Sequence, residues 1–490
     1  MTMRRLATPW ASPGDRQFSL PTSLILKMGL GEAPENIPYI RDVSRKVMAA
    51  ATSIDGGAVD RIANEHSGGF RCARLFSSAA HSHQPGQAHC DFDGVEQATG
   101  LARTFILRVP AGTAVGQLCE TLAQISSVES ASPNYVCTTP FDVSVNISQA
   151  ASAEAWAPRQ MIRMDEALAI EGGDDAVMVG LIDSGIAKNH VELNHAFRAG
   201  YDTVRLDAGD IATGIKLLGD HRRNDSNPED LFVGHGMGCA GIISARGKHM
   251  PAGQGGASRI IPMRALAAAR LPGKSQTVGL GAISDLDMAM KIAIDLGAKV
   301  INMSFGTDDS ALAAGSPKPH ADVVDYALAR GCILIAASGN NGEETRYWPA
   351  AYPGVIAVGA VDASRMPTGF STRGDHVALC APGDKILTTG LRGYQFATGT
   401  SFAAPFVSGA AALLVSRGVR RAHPINADTV RRILLRTAQP FSRGNPGGCG
   451  AGILDSAAAL RALDAEIDAV QDDFPERVAD PPNHGGADDG

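Results

Sequence analysis

The sequence predicts an α/β protein: a parallel β-sheet flanked by helices on both faces, preceded by a small α+β domain. Three observations carry this. Continuous apolar strands alternate with helical stretches between residues 177 and 361, the pattern of a parallel sheet buried on both sides. Residues 19–137 read strand, helix, strand, strand, helix, strand, the split-βαβ order of a ferredoxin-like unit. Between the two, over residues 138–155, periodicity fades around Thr138-Thr139-Pro140, as in a linker.

Taken in order, residues 1–18 read as a flexible lead. The apolar run Thr22 to Met28 predicts a strand, residues 42–65 a helical stretch broken at Asp55-Gly56-Gly57, and the alternation from Phe70 to Phe76 a second strand. Residues 77–98 form a polar loop holding His81, His83, His89 and Cys90; this composition fits a solvated loop better than a transition-metal site. A strand at 104–109, a helix at 114–125 and a strand at 128–136 complete the unit.

In the second unit, Val177 to Ile182 is an apolar strand ending in Asp183-Ser184-Gly185. Strands follow at 260–265, 299–305, 332–337 and 355–361, with helices at 285–296 and 321–330 between them. Helices at 408–417, 428–437 and 455–465 close the domain, which spans 156–465. The acidic stretch 466–490, with Pro481-Pro482 and Gly485-Gly486, reads as a disordered tail.

With 490 residues, 44 % hydrophobic and 19 % charged, the chain has ample length for a large core. A formal net charge of −7 gives no basic footprint, which argues against a nucleic-acid partner. The eight cysteines are scattered without metal-type spacing and read as buried thiols. No membrane span is expected, because no run of about 18 apolar residues occurs. No signal-type h-region follows Arg4 and Arg5, so a cytoplasmic location is the default expectation.

In open α/β sheets, chemistry gathers off the carboxyl ends of the strands. Asp183 ends the first buried strand, and His235, in Gly234-His235-Gly236, opens a small-residue helix. Asn340, in Ser338-Gly339-Asn340-Asn341-Gly342, follows another buried strand. Ser401, in Gly399-Thr400-Ser401-Phe402-Ala403-Ala404-Pro405, stands in the first turn of an apolar helix, where Pro405 is also tolerable. Free N–H groups and the helix dipole favour developing negative charge at that point. Each residue has a bland reading: Asp183 and Asn340 as turn residues, His235 as a structural histidine, Ser401 as a helix cap. Together they supply an acid, a base, an oxyanion donor and a nucleophile.

These four segments resemble the signature blocks of the subtilisin-like serine proteases, or subtilases, over roughly residues 155–460. The resemblance implies a serine endopeptidase acting on protein or peptide substrates. Ser401 would attack the scissile carbonyl, His235 would shuttle the proton and Asp183 would orient the imidazole, with Asn340 in the oxyanion hole. It further implies that Ser304, Phe305 and Gly306 pair with the substrate backbone, and that Ala337, Ser338 and Gly339 line the opposite wall of the P1 pocket. Small residues there lead to an expectation of a sizeable apolar P1 side chain.

Met237 and Gly238 depart from the usual family pattern and put local packing in question, while Cys239 resembles the free cysteine of proteinase K-like members. No cofactor is required for the chemistry. Structural calcium is conceivable at Asp220, Asp225, Glu229 and Asp230, where a solvated loop is the stronger reading. Residues 19–137, ending in Pro133-Asn134-Tyr135-Val136, resemble the inhibitor-like subtilase propeptide. That resemblance implies an intramolecular inhibitor and folding chaperone, with self-cleavage in the linker after Val136. The competing readings are a non-catalytic peptide binder on the same fold, or a dedicated maturation protease with one partner.

Overall fold

The computed structural model describes residues 19–32, 34–79, 92–139, 142–147, 153–211, 214–222, 224–312 and 314–473. The N-terminal unit comprises β1 (Ser19–Met28), α1 (Ile40–Ser44), α2 (Ala58–Ser67), β2 (Arg71–Arg74), α3 (Gly94–Ala98), β3 (Thr104–Arg108), α4 (Val115–Leu122) and β4 (Val128–Thr139). Its strands lie in the order β2-β3-β1-β4, each antiparallel to its neighbour. Leu24 and Leu26 alternate toward one face, where they meet Leu118 and Leu122 of α4. Alternation on the strand and i, i+4 spacing on the helix thus bury the same core.

The chain continues through β5 (Asp142–Ile147), α5 (Ala153–Met161), α6 (Met164–Ile170), β6 (Met178–Asp183), β7 (Tyr201–Asp202), β8 (Lys216–Leu218), α7 (His235–Ser244) and β9 (Arg259–Arg264). After it come the hairpin β10 (Ala267–Arg270) and β11 (Thr277–Ala282), α8 (Ile283–Asp295), β12 (Val300–Met303), β13 (Thr307–Asp308), α9 (Ala321–Ala329), β14 (Ile333–Ala337), β15 (Tyr347–Trp348), β16 (Val355–Val361) and β17 (Val377–Pro382). The second hairpin, β18 (Ile386–Thr389) and β19 (Tyr394–Thr398), leads into α10 (Thr400–Arg420), α11 (Ala427–Arg436) and α12 (Ser456–Asp473).

A seven-stranded parallel sheet, β17-β16-β14-β12-β6-β9-β7, forms the middle layer. Its residues alternate between two cores. Val300, Ile333 and Ile335 pack with α10, whereas Ile301, Leu334 and Ala336 pack with α8 and α9. The expected α/β layering is therefore present. α10 is long and apolar enough to cross a bilayer, but 83 % of its apolar window is buried in the protein; it is the core helix.

Several boundaries differ from those read in the sequence. The stretch read as a linker holds the end of β4, all of β5 and the start of α5. Its strand structure comes from partners far along the chain: β4 pairs with β11, and β5 with β19. Because of the first pairing, the N-terminal sheet runs on through β11, β10 and β8 as one seven-stranded sheet. α10 begins at Thr400 and α12 runs to Asp473, past the boundary at 465. The lead at 1–18, the His81, His83, His89 and Cys90 group, and residues 474–490 lie outside the described residues.

Candidate active site

The carboxyl edge of the parallel sheet brings the four singled-out residues together. Asp183 is the last residue of β6 and is buried. Gly236, the second residue of α7, lets that helix close on it: a Cβ there would stand 2.3 Å from the Gly185 carbonyl oxygen and 3.2 Å from the Asp183 Cβ. His235, fully buried at the helix start, thereby places Nδ1 at 2.8 and 2.9 Å from the two carboxylate oxygens of Asp183. A carboxylate only accepts, so Nδ1 carries the proton in this pair. Phe402 packs against the imidazole, ring centroids 5.2 Å apart.

Ser401 lies in the first turn of α10, only 4 % exposed. Gly399 precedes it at φ 151°, a conformation side chains rarely adopt. The Ser401 hydroxyl donates to the Ser304 carbonyl at 3.2 Å. The Ser401 carbonyl in turn accepts from the Ser304 hydroxyl at 2.8 Å and the Cys239 thiol at 3.4 Å. Asn340 receives the Thr400 N–H (2.8 Å) and hydroxyl (3.0 Å) on its amide oxygen, which leaves its Nδ2 end as the donor.

The departures at Met237 and Gly238 are absorbed by packing. Met237 is fully buried, with its sulfur 3.0 Å from the Ala187 N–H. A Cβ on Gly238 would press on Phe402 at 2.8 Å. Thr389 and Thr388 donate to the carbonyls of Met237 and Gly238, both at 2.6 Å, tying α7 to β18. Cys239 is buried beneath, and burial pushes its thiol well above the ordinary range. Among the described residues, Asp183, His235 and Cys239 form a group whose ligand atoms converge. Asp230 is engaged otherwise: it accepts N–H groups of Phe232, Val233 and Gly234 and the Ser184 hydroxyl.

Beside Ser401 lies a cleft lined by Ser304, Phe305, Ala337, Gly339, Asn340 and Thr400. Gly306 borders it, whereas Ser338 is buried and donates its hydroxyl to the Thr372 carbonyl at 3.1 Å. Three lining residues were not legible in the sequence. Thr138 and Thr139 reach the cleft on the end of β4, and Tyr347 enters it from β15.

Comparison with known proteins bears on this geometry. The subtilase-family model, Peptidase_S8, matches residues 174–457. The chain belongs to the subtilase family. It is 34 % identical over 322 residues to the thermophilic serine proteinase of Bacillus sp. (strain AK1), covering 64 % of this chain and 68 % of that protein. It is 31 % identical over 294 residues to thermitase of Thermoactinomyces vulgaris, covering 59 % and 90 %. A solved protease from Pseudoalteromonas arctica PAMC 21717 shares the fold, with a TM-score of 0.53 at 23 % identity over 65 % of this chain and 100 % of that one. This subtilase is accordingly a subtilisin-like serine protease, a hydrolase of peptide bonds. The matched residues 174–457 include Asp183, His235, Asn340 and Ser401.

Proposed function

We propose that this subtilase is made as a zymogen and cuts its own backbone between Thr139 and Asp142, using Ser401, His235 and Asp183 as a triad. Ser401 attacks the carbonyl to give an acyl-enzyme, and water releases it. His235, held by Asp183, takes the serine proton and returns it to the leaving amine. The Asn340 amide and the Ser401 N–H steady the oxyanion.

One observation carries the self-cleavage reading: Thr138 and Thr139 line the chain's own cleft beside Ser401. Residues Val136 to Thr139 pair antiparallel with Gly279 to Ala282 of β11. Asp142 to Ile147 pair with β19, the strand that leads into Ser401. An extended chain held beside a nucleophile is how a substrate is presented. In this reading the N-terminal unit is both inhibitor and folding template. Asn134 supports the second role, since its Oδ1 accepts the N–H of Ser284 in the first turn of α8 at 3.2 Å.

A fluorophosphonate probe tests the triad: it should label wild type and not Ser401→Ala. N-terminal sequencing tests the zymogen. Wild type should begin between Pro140 and Asp142 and Ser401→Ala should stay full length; an uncut yet labelled wild type would remove the self-processing reading.

A further inference from the structure

The two walls beside Ser401, residues 304–306 and 337–339, are both rich in small residues, and read alone they leave room for a large P1 side chain. The structure fills that room. A Cβ on Gly306 would stand 2.4 Å from Tyr347 Cε1, and a Cβ on Gly339 would stand 3.0 Å from Tyr347 Cδ2. The phenol ring therefore spans from one wall to the other, and each glycine is needed for it to lie there.

Its placement is fixed from behind. Tyr347 pairs with Asp308 across the β13–β15 ladder, and its neighbour Trp348 pairs with Thr307. Trp348 is buried, donates its indole N–H to Asp309 at 2.7 Å and packs on Tyr352 with centroids 4.6 Å apart. A ring on so anchored a strand moves aside only at the cost of that packing. Burial also pushes the phenol above its ordinary range, so it stays neutral and offers a basic P1 side chain no counter-charge.

We propose that Tyr347 closes the P1 pocket to aromatic and long aliphatic side chains and commits this protease to small P1 residues: glycine, alanine, serine or threonine. This rests on the triad reading above. It replaces the sizeable apolar P1 expected from the small-residue walls, because the residue that decides pocket depth comes from a third element.

The test is a peptide series of fixed sequence with alanine, serine, leucine or phenylalanine at P1. Rates are measured as kcat/KM per fluorophosphonate-titrated site on the full chain as expressed. A single methylene too many in a hydrophobic pocket is worth about 10–200-fold, so wild type should favour alanine over the far larger phenylalanine by at least about 10-fold. Tyr347→Gly should raise the phenylalanine-to-alanine ratio by at least about 10-fold, whereas Tyr347→Phe, which keeps the ring, should leave it unchanged. A wild type that cuts phenylalanine as well as alanine overturns the proposal, and so does a ratio indifferent to Tyr347→Gly. A wild type that no fluorophosphonate labels overturns the triad reading itself, a separate outcome.

Discussion

Pro405 has no N–H to return to the carbonyl one helical turn before it, and that carbonyl belongs to Ser401. It sits past the first turn, where a proline leaves a gap in the ladder. The Ser304 hydroxyl and the Cys239 thiol fill this gap from two other elements. Removing a buried donor of this kind costs about 1–3 kcal/mol. Ser304→Ala should therefore lower the melting temperature and the rate of fluorophosphonate labelling together. The oxyanion role proposed for Asn340 predicts that Asn340→Ala loses about 10²–10³ in kcat, a magnitude itself established on a subtilisin. The seven described cysteines are buried, with Cys332 pushed by burial to about 11 and Cys72 and Cys119 to about 12. Folded thiols that ionise late favour the folded state only while the unfolded thiols are also neutral, so stability falls as pH rises past about 9. A Cys90→Ser protein should accordingly resist iodoacetamide at pH 8 until it is unfolded, and should melt at a lower temperature at pH 10 than at pH 8. The positions of Asp183, His235 and Ser401 could be read from local patterns at strand ends and helix starts. Tyr347 could not, because nothing near it in sequence says which pocket its ring will enter.

α10 is the element on which the two halves of the active site turn. Its first turn carries Ser401, and its body packs against β12, β14 and β16. Leu413 is fully buried in this packing. Leu413→Ala should cost about 2–5 kcal/mol, read as a fall in the denaturant midpoint, with the substrate preference unchanged because the site lies at the other end of the helix. Runs of consecutive apolar residues and helical periods were legible, among them β6, β12, β14, β16, α8 and α9. β13, β15 and the end of β4 were not: they take their strand character from partners far along the chain. Asp142–Ile147 does carry a strand signal, the strict alternation Asp-Val-Ser-Val-Asn-Ile, but it lies inside the stretch read as a linker; its partner is the edge of β19.

Across the whole molecule, the N-terminal unit is held by more than the strand pairing. Arg108 meets Asp210 at 2.7 Å, Lys27 meets Asp322 at 2.9 Å, and the fully enclosed Lys291 meets Glu96 at 2.6 Å. Tyr135 packs with Ile283, Leu312 and Trp348. Lys291 keeps Asp295 at 2.6 Å when Glu96 is removed, but the enclosed pair across the two units is lost, so Glu96→Ala should weaken docking more than Arg108→Ala, whose arginine is partly exposed. Gel filtration of protein cut as proposed would read this as earlier loss of the N-terminal fragment. In the uncut chain, β4 and β11 belong to one polymer, and their encounter costs no translational freedom. The proposed cut would leave the same hydrogen bonds joining two separate molecules, without the millimolar effective concentration that a short tether supplies. How long the fragment stays then depends on how much protein is present. A concentrated stock would remain quiet, and the same stock, simply diluted, would wake.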